Sequence, residues 1–356
     1  MDSCRNRVGE KGPLTMRDTA VVLSGYGPVG RAYAEHLLSN GSELARFHGV
    51  RPRVAAVRTG AAECLPPDDG RPPPPRASWR PLRPLAETLR LTRAAVLVQA
   101  VPSTPEVRDR AAAEAIAALR AGVHVVTATK SHLLSHWRQL AEAAGTGGAL
   151  IRISGATGAA LPAGDLARVG VRGLGCRSVR ACPNGTVTFV LDRLAAGDSL
   201  AAAVAEARRR GIAEADPTAD LSGSDAATKT RLLAGLLWGW DVSAVQTHLE
   251  GVDEHTARAA RAAAATGGRL RAVATAEADD PHVVRVRLEE TGPGDPLYAL
   301  AGPEKAVVYR CPEAGDITVS GGRSSPLGAA LAMVKDTLDV TAPARTGFGP
   351  VPHVLR

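Results

Sequence analysis

Between Gly211 and Lys229 the chain reads GIAEADPTADLSGSDAATK, which sets four acids, Glu214, Asp216, Asp220 and Asp225, ahead of one cation, Lys229. A helix starting at Ser222 to Ser224 puts Asp225 in its first turn and Lys229 one turn later on the same face. Taken alone, such a pair is a surface ion pair worth roughly 0.2–0.5 kcal/mol. Four acids around a fixed Asp216–Pro217 kink, all before a single lysine, are more than a surface ion pair needs and mark Asp225 and Lys229 as a paired acid and amine.

A second constellation lies near the start of the chain. Gly25-Tyr26-Gly27-Pro28-Val29-Gly30 follows a short apolar run, Ala20 to Ser24, and precedes a helical run. Gly25 permits the tight turn, Gly27 lets a pyrophosphate approach the backbone, and Gly30 lets helix and strand pack closely. Free N–H groups at the helix start, around Pro28 and Val29, would hold the phosphates. A G-x-G-x-x-G set between strand and helix predicts a dinucleotide site. The next strand, AAVRTG, ends at Arg58 and Thr59 where an NAD-preferring site places an acid; a cation and a hydroxyl there suit a 2′-phosphate, so NADP is expected, with NAD the alternative.

The elements that must position these residues follow in order. After the first helix, which Asn40 and Gly41 are expected to stop, come strands at Val54 to Val57 and Ala94 to Val101 and a helix from Thr104-Pro105 to Gly122. A strand at His124 to Thr127, a helix at Ser131 to Ala144 and a strand at Leu150 to Ser154 complete the alternation. That pattern predicts an α/β fold, a Rossmann-type doubly wound parallel sheet over 19–154. Proline-rich Leu65 to Pro84 reads as an extended surface insertion, with docking of a polyproline helix a secondary role. Beyond Gly155 the pattern changes to helices at Ser199 to Arg210 and Ser224 to Trp240 and strands at Arg269 to Ala276, Val283 to Glu289, Ala306 to Arg310 and Asp316 to Ser320. A second, α+β domain is expected over 155–325, and a closing helix at Pro326 to Val340 within 326–356. Residues 1–18 are expected to form an unstructured extension, and no internal repeat is evident.

Composition narrows the function. With 356 residues, 45% of them hydrophobic and 22% charged, the chain is long enough for two cores. The net charge of +7 is spread over the whole length and aromatic residues make up only 3%, which argues against a base-stacking nucleic-acid binder. No apolar run reaches the roughly 20 residues that cross a bilayer, so a soluble chain without a membrane partner is expected. Cys4, Cys64, Cys176, Cys182 and Cys311 form no C-x-x-C, which predicts neither disulfides nor zinc and suits a reducing cytoplasm. His132 and His136 stand four apart but lack a third ligand at a diagnostic spacing, so they read as a solvated helix face and no metal is assigned. Ser154 in SGATG is not at a strand-to-helix nucleophile turn.

GYGPVG, VVTATK at Val125 to Lys130, GATGAALP at Gly155 to Pro162, NGT at Asn184 to Thr186 and the acidic segment occur in the order of a known family's landmarks. From Ala20 to about Val340 the chain resembles homoserine dehydrogenase. The resemblance implies reduction of L-aspartate 4-semialdehyde to L-homoserine by NAD(P)H, a step toward threonine and methionine, in a cytoplasmic homodimer that dimerises through its catalytic domain, with the C-terminal helix returning to the nucleotide domain. It makes Lys229 the proton-transfer lysine, Asp225 its acid and Lys130 a second lysine beside the reacting carbonyl. Glu214 and Asp220 would hold the substrate ammonium, Gly185 and Thr186 would line the substrate, and Ser103 and Lys130 would lie against the cofactor. An aldehyde taking a hydride becomes an alkoxide and needs a proton donor. An amine whose proton affinity is lowered by burial or by a second cation can supply that proton near neutrality.

The chain departs from the family pattern at several points. Thr129 stands before Lys130 in place of Asn, Ser154 replaces a Glu, Ala160 a glycine and Thr188 an Asn, and the C-terminal glycine turn reads Gly321-Gly322-Arg323-Ser324-Ser325. In some members that Glu, with carbonyls matching Thr157, Ala159 and Leu161, helps hold a monovalent cation, so its loss counts against sodium here. The chain ends at Arg356 with no appended regulatory domain expected. Two other readings stand beside the first: a related reductase of another small amino or hydroxy aldehyde, and a non-catalytic dinucleotide sensor, which would need neither Asp225 nor Lys229.

Overall fold

The computed structural model describes residues 17–66 and 71–342; of the extension expected at 1–18, residues 1–16 lie outside them and Arg17 and Asp18 begin the first strand instead, while 343–356 of the closing segment also lie outside. Its first sheet comprises β1 (Arg17–Ser24), β2 (Val50–Arg58), β3 (Ala62–Cys64), β4 (Arg80–Pro81), β5 (Val96–Gln99), β6 (His124–Thr127) and β7 (Ile151–Arg152), in the order β4-β3-β2-β1-β5-β6-β7. The five strands β2, β1, β5, β6 and β7 are parallel, and Ser24 pairs with Arg58 and Gln99, and Gln99 with Thr127, so their C-terminal ends form one edge. Strand order reverses between β1 and β5, which opens a crevice there.

Helices cover both faces of this sheet. Pro28–His48 packs with Pro326–Thr341 on one face, where Tyr33 and Thr337 share a buried 2.8 Å hydrogen bond. Pro105–Arg120 and Trp137–Gly147 cover the other. The first helix does not stop at Gly41. That glycine is buried against the Arg51 side chain, and the left-handed residue that ends the helix is Gly49, at φ 73°. The helix expected over Ser131 to Ala144 is broken at His136 into Ser131–Ser135 and Trp137–Gly147. His132 is fully buried and neither ring nitrogen has a partner, so the solvated-face reading is corrected for this residue. β3, just ahead of the proline-rich insertion, extends the sheet antiparallel from β2, and β4, within the insertion, pairs antiparallel with β3.

The second sheet comprises β8 (Ser178–Cys182), β9 (Gln246–Leu249), β10 (Arg269–Glu277), β11 (Val283–Thr291), β12 (Ala306–Arg310) and β13 (Ile317–Ser320), in the order β13-β12-β8-β10-β11-β9. All pairs are antiparallel except β11 with β9. Alternation along β10 decides which face is covered. Leu270 and Ala272 meet helices Gly185–Ala195 and Thr256–Ala265, while Ala274 and Ala276 meet Ser224–Trp238. Leu232 of Ser224–Trp238 also enters the core of the first sheet beside Leu133, Ile153 and Ala156, so one helix ties the two layers together. No helix among the described residues is long and apolar enough to cross a membrane.

Candidate active site

Helix Ser224–Trp238 begins after Gly223, at φ 81°, and carries Asp225 in its first turn and Lys229 one turn on. Lys130 comes from the far side of the cleft, at the start of Ser131–Ser135, directly beyond the C-terminal edge of β6. All three meet: Lys130 Nζ lies 2.6 Å from Asp225 Oδ1 and Lys229 Nζ 2.6 Å from Asp225 Oδ2. Lys229 Nζ also donates to the Pro183 carbonyl at 3.0 Å. Burial alone would push the Asp225 carboxyl up, but the Lys229 and Lys130 ammonium groups outweigh it and hold it well below the usual carboxylate range. The group is therefore a carboxylate between two cations.

Asn184 completes the cluster, and the sequence reading gave it no role of its own. Its side-chain oxygen caps helix Gly185–Ala195 by accepting from Val187 N at 3.1 Å, which turns its amide toward Asp220 Oδ1 at 2.6 Å and Asp225 Oδ2 at 2.8 Å. The available signal was Asn before Gly-Thr ahead of an apolar run, an N-cap. Gly185 is required because a Cβ there would lie 2.2 Å from the Pro303 carbonyl oxygen.

The four acids divide. Asp225 and Asp220 join the cluster; Asp216 caps the turn at Thr218, accepting from its N–H and hydroxyl; Glu214 is exposed on the preceding loop. The buried Thr186 hydroxyl donates to the Ile212 carbonyl at 3.2 Å and is thereby engaged within the protein.

At the nucleotide edge, Gly25 has φ 99°, and a Cβ there would lie 2.3 Å from the Ala100 carbonyl oxygen. A Cβ on Gly30 would lie 2.1 Å from the Gly25 carbonyl oxygen, whereas Gly27 faces open space. The Pro28 helix has no acid in its first turn and no side-chain cap, which leaves the ends of its N–H groups free for an anion. Ser103 Oγ accepts from Lys130 N at 2.8 Å and so links the β5 edge to Lys130. Thr59 turns its hydroxyl onto the Ala62 carbonyl.

Arg58 requires correction. Its guanidinium is buried and donates to Glu63 Oε2 at 2.6 Å, Thr88 Oγ1 at 2.5 Å and the Arg83 carbonyl at 2.9 Å, so it is not presented to a 2′-phosphate. Strand β3, just ahead of the insertion, and β4 within it extend the sheet beside the end of β2, and Glu63 of β3 takes up the charge. The cation at the glycine turn is instead Arg76. It is exposed, donates to the Tyr26 carbonyl at 3.1 Å and lies over Trp79, which in turn packs against Tyr26.

The loop from Ser154 to Leu161 carries the positions that hold a monovalent cation in some members of the resembled family. Ser154 donates its N–H and hydroxyl to Asp336 at 2.9 and 2.8 Å and accepts from Lys335 Nζ at 3.0 Å. Further along, Lys305 Nζ donates to the Gly158 carbonyl at 3.0 Å with the whole residue 1% exposed. Burial first, and then Lys229, lower the Lys305 amine to about 8, with Asp225 opposing. The carboxylate at this place, Asp336, is already held by Ser154 and by Lys335 at 2.8 Å, and two ammonium groups flank the loop, so these residues do not fit a bound monovalent cation. Among the described residues no group of three His, Cys, Asp or Glu side chains is placed to hold a metal ion.

Two family models match the chain. Residues 25–154 match the family model "Homoserine dehydrogenase, NAD binding domain" and residues 162–338 the model "Homoserine dehydrogenase". A homoserine dehydrogenase of Corynebacterium glutamicum is 37% identical over 163 residues, 46% of this chain and 37% of that protein. One of Methanocaldococcus jannaschii is 28% identical over 246 residues, 69% of this chain and 72% of that protein. In fold, the chain is similar to a putative homoserine dehydrogenase from Archaeoglobus fulgidus, with TM-score 0.79 and 24% identity, covering 91% of this chain and 100% of that one. The chain belongs to the homoserine dehydrogenase family, among the NAD(P)-dependent oxidoreductases acting on CH–OH groups.

Proposed function

We propose that the protein interconverts L-aspartate 4-semialdehyde and L-homoserine with a nicotinamide dinucleotide. The observation that carries the reading is the Lys130–Asp225–Lys229 bridge, where one carboxylate holds two ammonium groups beside the edge that a dinucleotide would occupy. The cofactor supplies hydride chemistry when bound; the chain's part is to orient the aldehyde and manage the oxygen's charge. Lys229 donates the proton that the alkoxide needs, Lys130 stabilises the same oxygen, and Asp225 fixes both amines without neutralising the pair. Asp220, oriented by Asn184, and Glu214 take the substrate ammonium. Gly25, Gly27, Pro28, Val29 and Gly30 seat the pyrophosphate.

We read NADP as the preferred cofactor, with Arg76 in the part first given to Arg58. A homodimer formed through the unit of the second sheet belongs to the same reading. Purified protein should oxidise L-homoserine with NADP or NAD, and Lys229→Ala should abolish turnover while leaving nucleotide binding intact. Turnover on another small amino or hydroxy alcohol in preference to L-homoserine would move the substrate. Nucleotide binding without turnover on any small alcohol would overturn the reading in favour of a sensor.

A further inference from the structure

Lys305 is a buried ammonium that the proposed reaction does not use. It stands at the end of the loop that seats Pro303 on Gly185, immediately before β12, and reaches across to the turn at Gly158. That turn is tightly specified: Ala159 has φ 50°, and a Cβ on Gly322 would lie 2.5 Å from Leu161 N. Lys305 O in turn accepts from Gly321 N at 3.0 Å, so one residue touches both the glycine loop and the C-terminal glycine turn that presses on it. A buried ammonium is costly unless it does something a neutral side chain cannot. Its acceptor is the Gly158 carbonyl, in the loop where Ser154 stands at the position of the resembled family's Glu. At the head of the same loop, Lys335 holds Ser154.

We propose that Lys305 is an internal cation of the catalytic centre: its tethered ammonium replaces a dissolved monovalent cation, pins the Gly158–Leu161 turn and holds positive potential beside Lys229. Both the fold and turnover of this protein are then indifferent to sodium and potassium. The turnover arm rests on the proposed reaction, but the melting arm does not, so failure of one is separable from failure of the other.

The full chain is exchanged into tetramethylammonium, sodium, potassium or ammonium chloride at equal ionic strength near pH 7, and melting temperature and L-homoserine oxidation are read in each. The wild type should give the same melting temperature and rate in all four salts. Lys305→Ala, which opens a site beside the Gly158 carbonyl, should lose rate at least about tenfold in tetramethylammonium. Its melting temperature, and with it the rate, should rise on adding ammonium, sodium or potassium, since an ion bound only by the folded state stabilises it. Wild type that loses rate severalfold or melts lower without sodium or potassium overturns the proposal. So does Lys305→Ala that responds to none of the small cations, whether its rate is retained or lost. Should Lys305→Ala fail to fold in every salt, Lys305→Met, which leaves no room for an ion, is measured instead. The proposal then requires a lower rate in Lys305→Met that no salt restores, and a wild-type rate in that variant overturns it.

Discussion

Arg58 and Glu63 meet at 2.6 Å with side chains 2% and 0% exposed, whereas Asp225 meets Lys130 and Lys229 at the same distance while the two lysines keep 31% and 15% of their side chains exposed. The first cluster is sealed and its charges are taken up internally, with Arg83 Nε on the second Glu63 oxygen at 3.0 Å. The second is open and is assembled from both layers of the molecule. Two ion pairs of equal length therefore do different work. The sealed one fixes the sheet edge, and under the proposed function the open one keeps positive charge available to a reacting oxygen.

The sharpest way to break this contrast is to truncate one partner on each side. Lys229→Ala should lower kcat by about 10²–10⁴-fold while circular dichroism and melting stay near wild type. Glu63→Ala strands a buried guanidinium and should cost about 3–5 kcal/mol in denaturant unfolding, with activity per folded molecule retained. Loss of stability from the first change, or of activity from the second, would erase the distinction.

His132 sharpens it with a buried titratable group that has no partner at all. Burial lowers its imidazole from 6.5 to about 4, so the folded state holds it neutral. The stability this contributes is full above the unfolded value and is lost as pH falls from 6.5 toward 4. The slope approaches about 1.4 kcal/mol per pH unit within that window. His132→Leu should flatten that part of the stability curve measured by urea unfolding. The smallest effect belongs to the exposed arginine: Arg76→Ala should raise the KM for NADPH about tenfold and barely change that for NADH. Equal effects on both would remove Arg76 from the 2′-phosphate.

Much of this contrast was readable in the residues, and the rest depends on directions that spacing does not encode. The glycine turn, the parallel alternation and the Asp225–Lys229 face were legible because each is set within one or two turns of local geometry. Arg58 was misread because a strand's end says where a side chain is, not which neighbour receives it; Glu63 arrives from β3, paired antiparallel with β2. Gly41 looked like a stop because glycine is a common helix terminator, yet it lies inside the helix, and the left-handed residue that ends it is Gly49. Lys130 entered only through resemblance, since its Asp225 partner is 95 residues away. Lys305, ahead of AVVYR, looks in sequence like an ordinary charged residue before a strand, and only the tertiary approach to Gly158 marks it. Asn184 before Gly-Thr carried an unused cap signal, and nothing in its spacing encodes the amide bridge to Asp220 and Asp225.

The central claim is that two lysines held by one carboxylate act on a single oxygen beside a nicotinamide ring. A crystal structure with the oxidised cofactor and L-homoserine tests it most directly. The account predicts the substrate hydroxyl within hydrogen-bond reach of Lys229 and Lys130, about 2.7–3.2 Å, with its carbon facing the nicotinamide. Homoserine bound away from both ammonium groups, or a nicotinamide ring seated outside this cleft, would contradict it.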